Sequence, residues 1–226
     1  MHQEPHLQPF AGTPLVQFRS EQDRRSFLRN ALLVGVGATY VASVAGDPSS
    51  FLRSSNAAAV GTRAAAASAD LDILNYALTL EYLEAGFYER GIAAGVLSGR
   101  ELALVTPIRD HELAHVQAVT DTINSLGGKP VEKPKLQFPA KTFKDRDTFL
   151  ATASIFEELG VKAYHGQVPL IQSVDILGAA ASIAGVESRH AAILADLTGG
   201  DPFPRPIEAT LPMKDVLAAA TPYIKS

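Results

Sequence analysis

Six residues of this 226-residue sequence have the types and spacing for metal chemistry: Glu81, Glu112, His115, Glu157, Glu187 and His190. Glu112 with His115 and Glu187 with His190 are both Glu-x-x-His pairs. On a helix, residues three apart project from one face. A single such pair is common on protein surfaces. Here the pattern repeats in register. Glu81 and Glu157 are 76 residues apart, as are Tyr88 and Tyr164, while Glu112 and Glu187 are 75 apart, as are His115 and His190. Each half therefore reads Glu, Tyr seven residues later, then Glu-x-x-His about 30 residues after the first Glu. Four carboxylates brought together away from water repel one another, and each loses several kcal/mol of hydration. Two divalent cations cancel the four charges. Oxygen ligands with one imidazole per ion suit two ions of iron (Fe) or manganese (Mn). The sequence has no Cys, which excludes thiolate nucleophiles, zinc–thiolate sites and iron–sulfur clusters.

Positioning these residues requires four helices, and the apolar periodicity supplies them. Helix A is expected from about Asp70 to Ala93, with Leu71, Leu74, Leu78, Glu81, Ala85, Tyr88 and Ile92 spaced alternately three and four along one stripe. Helix B runs from Ser98 to Gly127-Gly128 on Val105, Ile108, Glu112, His115, Val119, Thr122 and Leu126, with Pro107 in its early turns. A proline- and lysine-rich connection follows over 128–144. Helix C, from Asp145 towards Gln167, carries Leu150, Ser154, Glu157, Val161 and Tyr164. Helix D, about 175–198, carries Ile176, Ala180, Ile183, Glu187, His190, Leu194 and Leu197. The tail over 199–226 holds Pro202, Pro204, Pro206, Pro212 and Pro222, and has room for one short helix around Met213 to Ala220. Short, long and short connections describe an all-α four-helix bundle with one crossover between B and C. Every helix has its stripe interrupted at mid-length by one or two of the six ionisable residues.

Composition agrees with a soluble domain that has a core: 46% of residues are apolar and 19% charged. A net charge of −4 argues against nucleic-acid binding, which needs a basic surface. The N-terminus is set apart. Asp23-Arg24-Arg25-Ser26-Phe27-Leu28-Arg29 precedes an apolar run from Ala31 to Ala45 that is short for a membrane span. This resembles a twin-arginine (Tat) export signal, with Arg29 where Lys is usual and small residues at Ser43-Val44-Ala45 for cleavage. Residues 1–46 are therefore expected to be a signal peptide and 47–69, rich in Ala, Ser and Gly, a linker. The Tat machinery is then a partner, and the periplasm or the extracellular space the destination.

Over about 70–222 the chain resembles the ferritin-like superfamily. The segments Leu80-Glu81-Tyr82-Leu83-Glu84-Ala85, Phe156-Glu157-Glu158-Leu159-Gly160-Val161-Lys162-Ala163-Tyr164 and Val186-Glu187-Ser188-Arg189-His190-Ala191 are most similar to the bacterial ferritin-like domain family that includes desiccation-related proteins. The resemblance implies a di-iron site on Glu81, Glu112, His115, Glu157, Glu187 and His190, with Glu112 and Glu187 bridging. It implies that Tyr88 and Tyr164 donate hydrogen bonds to ligand carboxylates and influence the chemistry; packing alone is the other explanation for them.

Glu84, one turn after Glu81, is an extra ligand or a substitute for it. His111 and His165 fall off the stripes, which favours a surface role or hydrogen bonding to a ligand over ligation. Glu158 is expected to face solvent. Three functions are open at this point: redox chemistry on O₂ or H₂O₂, of ferroxidase or catalase/peroxidase type; metal binding without turnover; and a structural stress protein stapled by metal. Homo-oligomerisation is left open. The proline-rich tail in place of a long fifth helix argues against a ferritin-type cage.

Overall fold

The computed structural model describes residues 48–225, and side chains from residue 67 onward. The twin-arginine segment and its cleavage point lie outside the described residues. Four long helices carry the site: α1 Pro48–Ala93, α2 Gly99–Ser125, α3 Arg146–Gln167 and α4 Val174–Thr198. A short helix, α5 Met213–Ala220, follows in the tail. Among the described residues there is no strand, only an isolated bridge between Leu136 and Ile224. The all-α expectation and the short C-terminal helix are both met.

Two boundaries differ from the sequence expectation. Residues 48–69, expected as a linker, are the first turns of α1. Alanine supplies the reason: Ala57–Ala59 and Ala64–Ala67 have the highest intrinsic helix propensity, which needs no apolar stripe to act. At the end of α2, Leu126 is 45% exposed and Ile123 fills the core position instead. The helix stops at Ser125, and the chain turns through Gly127 at φ +72°, so Leu126 no longer follows the helical period.

Polar ties fix the antiparallel order. Midway along α1, buried Asp70 accepts the amides of Gln172 and Ser173 at 2.8 Å, which places this part of α1 against the turn between α3 and α4. One turn on, Asn75 accepts from Val131 N at 2.8 Å, so the beginning of the crossover after α2 lies beside the middle of α1. At the opposite end, Arg146 donates to Glu101 at 2.6 Å and to the Leu197 carbonyl at 2.8 Å, joining α2, α3 and α4. Asp145 caps α3 by accepting from Thr148 N at 2.9 Å.

The crossover lies against α1 rather than hanging free. A Cβ on Gly86 would collide with Leu136, and one on Gly91 with Phe149, so glycine lets α1 take both neighbours at close range. Consequently α1 is buried over far more than a stripe: Phe87, which the periodicity left out, is completely inaccessible. It stacks on Phe149 with ring centroids 4.9 Å apart and meets the edges of Tyr88 and Phe156 at 5.1 and 4.9 Å. This aromatic core forms the floor below the Glu157 end of the polar cluster.

Candidate metal centre

The bundle brings all six predicted residues together. Glu81, Glu112, Glu157 and Glu187 are fully buried, and His115 and His190 are 7% and 4% exposed. Each helix presents its residues because glutamate or histidine occupies a position where the stripe calls for an apolar side chain. Burying four carboxylates without a compensating cation is strongly unfavourable, and no lysine or arginine pairs with any of them among the described residues.

Two overlapping groups emerge. Glu81, Glu112, His115 and Glu187 offer ligand atoms within 4.8 Å of one another; so do Glu112, Glu157, Glu187 and His190. Glu112 and Glu187 belong to both. His115 Nδ1 lies 3.3 Å from Glu81 Oε2, 3.3 Å from Glu112 Oε2 and 3.1 Å from Glu187 Oε1. His190 Nδ1 lies 3.0 Å from Glu112 Oε1 and 3.2 Å from Glu157 Oε2. Yet Glu81 Oε2, Glu112 Oε1, Glu157 Oε2, both Glu187 oxygens and His190 Nδ1 are buried without a well-formed hydrogen bond. Donor atoms that converge this closely while missing hydrogen-bond geometry are arranged for a cation between them, and each group can hold a metal ion.

The other oxygens of the outer glutamates are engaged. Tyr88 Oη donates to Glu157 Oε1 at 2.5 Å, and Tyr164 Oη donates to Glu81 Oε1. Each tyrosine thus leaves its glutamate one oxygen to point at the cluster. Burial first, and then the charge of the partner glutamate, pushes both phenols well above their ordinary range, so they remain donors.

Protons take the part of positive charge in this cluster. Burial would depress His115, but the facing carboxylates of Glu112, Glu187 and Glu81 outweigh it and raise the imidazole to about 12. His190 rises to about 10 in the same way, against its own desolvation, through Glu112 and Glu157. Burial alone would raise Glu112, yet His115 and His190 bring it down to about 2. Glu81 is pushed up to about 8, chiefly by burial, and Glu157 well above the carboxylate range by burial and then by Glu187. The cluster is short of positive charge. A metal ion held by either group would supply what protons supply here.

The residues left open in the sequence now have places. Glu84 is buried at the site, and its carboxyl is held far above the usual range by desolvation and then by Glu187. His111 does not join either group of four; its Nδ1 lies 2.9 Å from His190 Nε2, with the two rings nearly parallel. Burial and the neighbouring His190 hold His111 below the ordinary imidazole range. His165 bonds the Val161 carbonyl within α3, and Glu158 pairs with Lys162 at 2.9 Å on the outer face of that helix.

A family model described as the ferritin-like domain matches residues 69–200, more than half of the chain. The chain belongs to the ferritin-like domain family. No curated protein matches it. The match takes in α1 from residue 69, the whole of α2, α3 and α4, and all six clustered residues.

Proposed function

We propose that this chain is an exported ferritin-like protein that holds a dinuclear iron or manganese centre, and that the loaded centre reacts with O₂ or peroxide. The reaction is of ferroxidase or peroxide-detoxifying type and serves stress protection. One observation carries the reading: Glu112 and Glu187 belong to both groups of four. Two carboxylates common to adjacent positions suit two ions, with Glu81 and His115 completing one position and Glu157 and His190 the other. When bound, Fe(II) ions supply the electrons that reduce O₂ or peroxide.

The chain supplies the surroundings. Four carboxylates favour the higher metal charge that oxidation produces. Tyr88 and Tyr164 hold the outer glutamates in one orientation and keep their protons close to the cluster. A largely apolar cavity of about 50 Å³ between α1, α2, α3 and α4 has Tyr164 in its wall. That volume accepts a molecule the size of O₂ or H₂O₂, since a single water needs roughly 10–15 Å³.

The decisive experiment mixes Fe(II)-loaded protein with O₂ or H₂O₂ in a stopped-flow spectrometer after elemental analysis has shown two irons per chain. Oxidation faster than that of free Fe(II) at the same pH supports turnover. Equal rates leave a binding or structural role.

The export half of the reading rests on Arg24-Arg25 and the apolar run after them. Replacing both arginines by lysine should strand the precursor in the cytoplasm, and normal export of that double variant on fractionation would refute the Tat assignment. The resemblance to desiccation-related proteins supports the stress-protection role, and metal analysis of protein taken from its native compartment distinguishes iron from manganese.

A further inference from the structure

The four shared and outer carboxylates are fully inaccessible, so an ion must cross a protein wall to reach them. Glu84 stands where such a crossing would end. It is 3% exposed and lies outside both groups of four. A Cβ on Gly160 would be 2.9 Å from Glu84 Oε1 and 3.1 Å from Glu187 Oε2. The two oxygens therefore face the same point on α3 and are no more than about 6 Å apart, which follows from those two distances. Glu187 Oε1 lies 3.1 Å from His115 Nδ1, and both Glu187 oxygens are buried without a well-formed hydrogen bond. Glycine at 160 leaves the space between the two carboxylates free of any side chain.

Behind Glu84 the wall is thin. Glu84 and Gly160 line a gap of about 10 Å³ between α1 and α3, bounded by Leu80, Leu83, Phe156 and half-buried Leu159. A gap of that size has room for about one water-sized particle. Phe156 and Leu159 also line a groove of about 560 Å³ on the outer side of α3, so gap and groove share a wall. Leucines alone would be a barrier to a cation losing its water. A buried carboxylate at the inner end offsets that loss of hydration.

We propose that Glu84 and Glu187 Oε2 form a transit site for a hard divalent cation, fed through the α1–α3 gap, from which Glu187 passes the ion to the positions it serves. This rests on the dinuclear reading and adds a route to it. The ligand class is a small cation that prefers oxygen donors, such as Fe(II) or Mn(II).

The test uses full-length metal-free protein and Co(II) as a coloured probe, with uptake followed by stopped-flow absorbance and the final content by elemental analysis. Glu84→Gln keeps the shape and removes the carboxyl that becomes an anionic ligand when a cation displaces its proton; it should take up Co(II) at least about tenfold more slowly, the scale on which a charged access path accelerates association. Its final content should still equal that of the unaltered chain. Leu159→Phe, which narrows the gap and leaves every carboxylate in place, should also slow uptake, while Asp121→Asn on the exposed face of α2 should not. Uptake at the unaltered rate in Glu84→Gln or in Leu159→Phe overturns the route. A lower final content in Glu84→Gln overturns it too, because Glu84 would then be a permanent ligand. The dinuclear reading is tested separately by the unaltered chain: fewer than two Co(II) at saturation refutes it whatever the rates.

Discussion

Tyr164 on α3 donates its hydroxyl to Glu81 on α1, and Tyr88 on α1 donates to Glu157 on α3. Each tyrosine follows a glutamate by seven residues on its own helix and serves the glutamate of the other helix. The exchange is possible because α1 and α3 run antiparallel, so that 81 faces 164 and 88 faces 157. Tyr88→Phe or Tyr164→Phe should cost about 1–3 kcal/mol, the usual loss when a buried group is deprived of its hydrogen-bond partner. Both variants should still bind two metals, and their reaction with oxidant should be slower. Thermal melts, elemental analysis and stopped-flow traces check these three outcomes; loss of metal from either variant would show that the tyrosines are needed for binding itself.

The shared and outer glutamates should differ in stoichiometry. Glu112→Ala or Glu187→Ala removes a carboxylate common to both groups and should abolish binding of both ions. Glu81→Ala or Glu157→Ala touches one group each and should leave one ion bound. Metal content after gel filtration separates the two patterns, and a shared-residue variant that retains two ions would refute the bridge.

His111 should act on one position only. Nδ1 of His190 faces Glu112 and Glu157, so Nε2 is the nitrogen left to meet His111 at 2.9 Å. Ligation through Nδ1 leaves the proton on Nε2, where it is donated to His111. In the internal repeat, Val186 stands where His111 does, so the second half lacks this neighbour. His111→Ala should weaken one of two Mn(II) equivalents by about 10–100-fold, the range for removing the outer partner of a ligating histidine. Calorimetric titration should resolve one altered and one unaltered step.

Metal-free protein should lose stability as pH rises, and the gain from bound metal should grow. Burial raises Glu81 from 4.5 to about 8, so the folded chain keeps a proton that the unfolded chain has lost, and this stabilisation fades as pH rises through that window. His115 and His190, raised from 6.5 to about 12 and about 10 by their carboxylate partners, act in the same direction above pH 6.5. Glu112, lowered to about 2, loses its contribution only in acid, between 4.5 and about 2. The melting temperature of the metal-free protein should therefore fall from pH 6.5 to 8. Cations displace these protons, so the gain in melting temperature on adding Mn(II) should widen over the same interval. A constant gain across it would mean that binding releases no protons.

The sequence by itself determined which residues meet. A Glu or His on an apolar stripe is forced inward by its neighbours, and repetition at 75 and 76 residues excludes chance placement. Helices α2, α3 and α4 were legible for the same reason, since each carries an apolar stripe along its length. The start of α1 was not, because polyalanine is helical through backbone propensity and leaves no stripe to read. Tertiary structure alone decided how the meeting residues divide their work. That Glu112 and Glu187 serve both groups depends on which side chains oppose each other across four helices, and local periodicity carries no information about opposition. Glu84 and His111 show the same limit. Both lie off the stripe, yet Glu84 is buried because the crossover and α3 close over α1, and His111 reaches His190 because α2 and α4 pack side by side. Position along a helix fixes a side chain's direction; only the packing of neighbouring helices fixes what stands there to receive it.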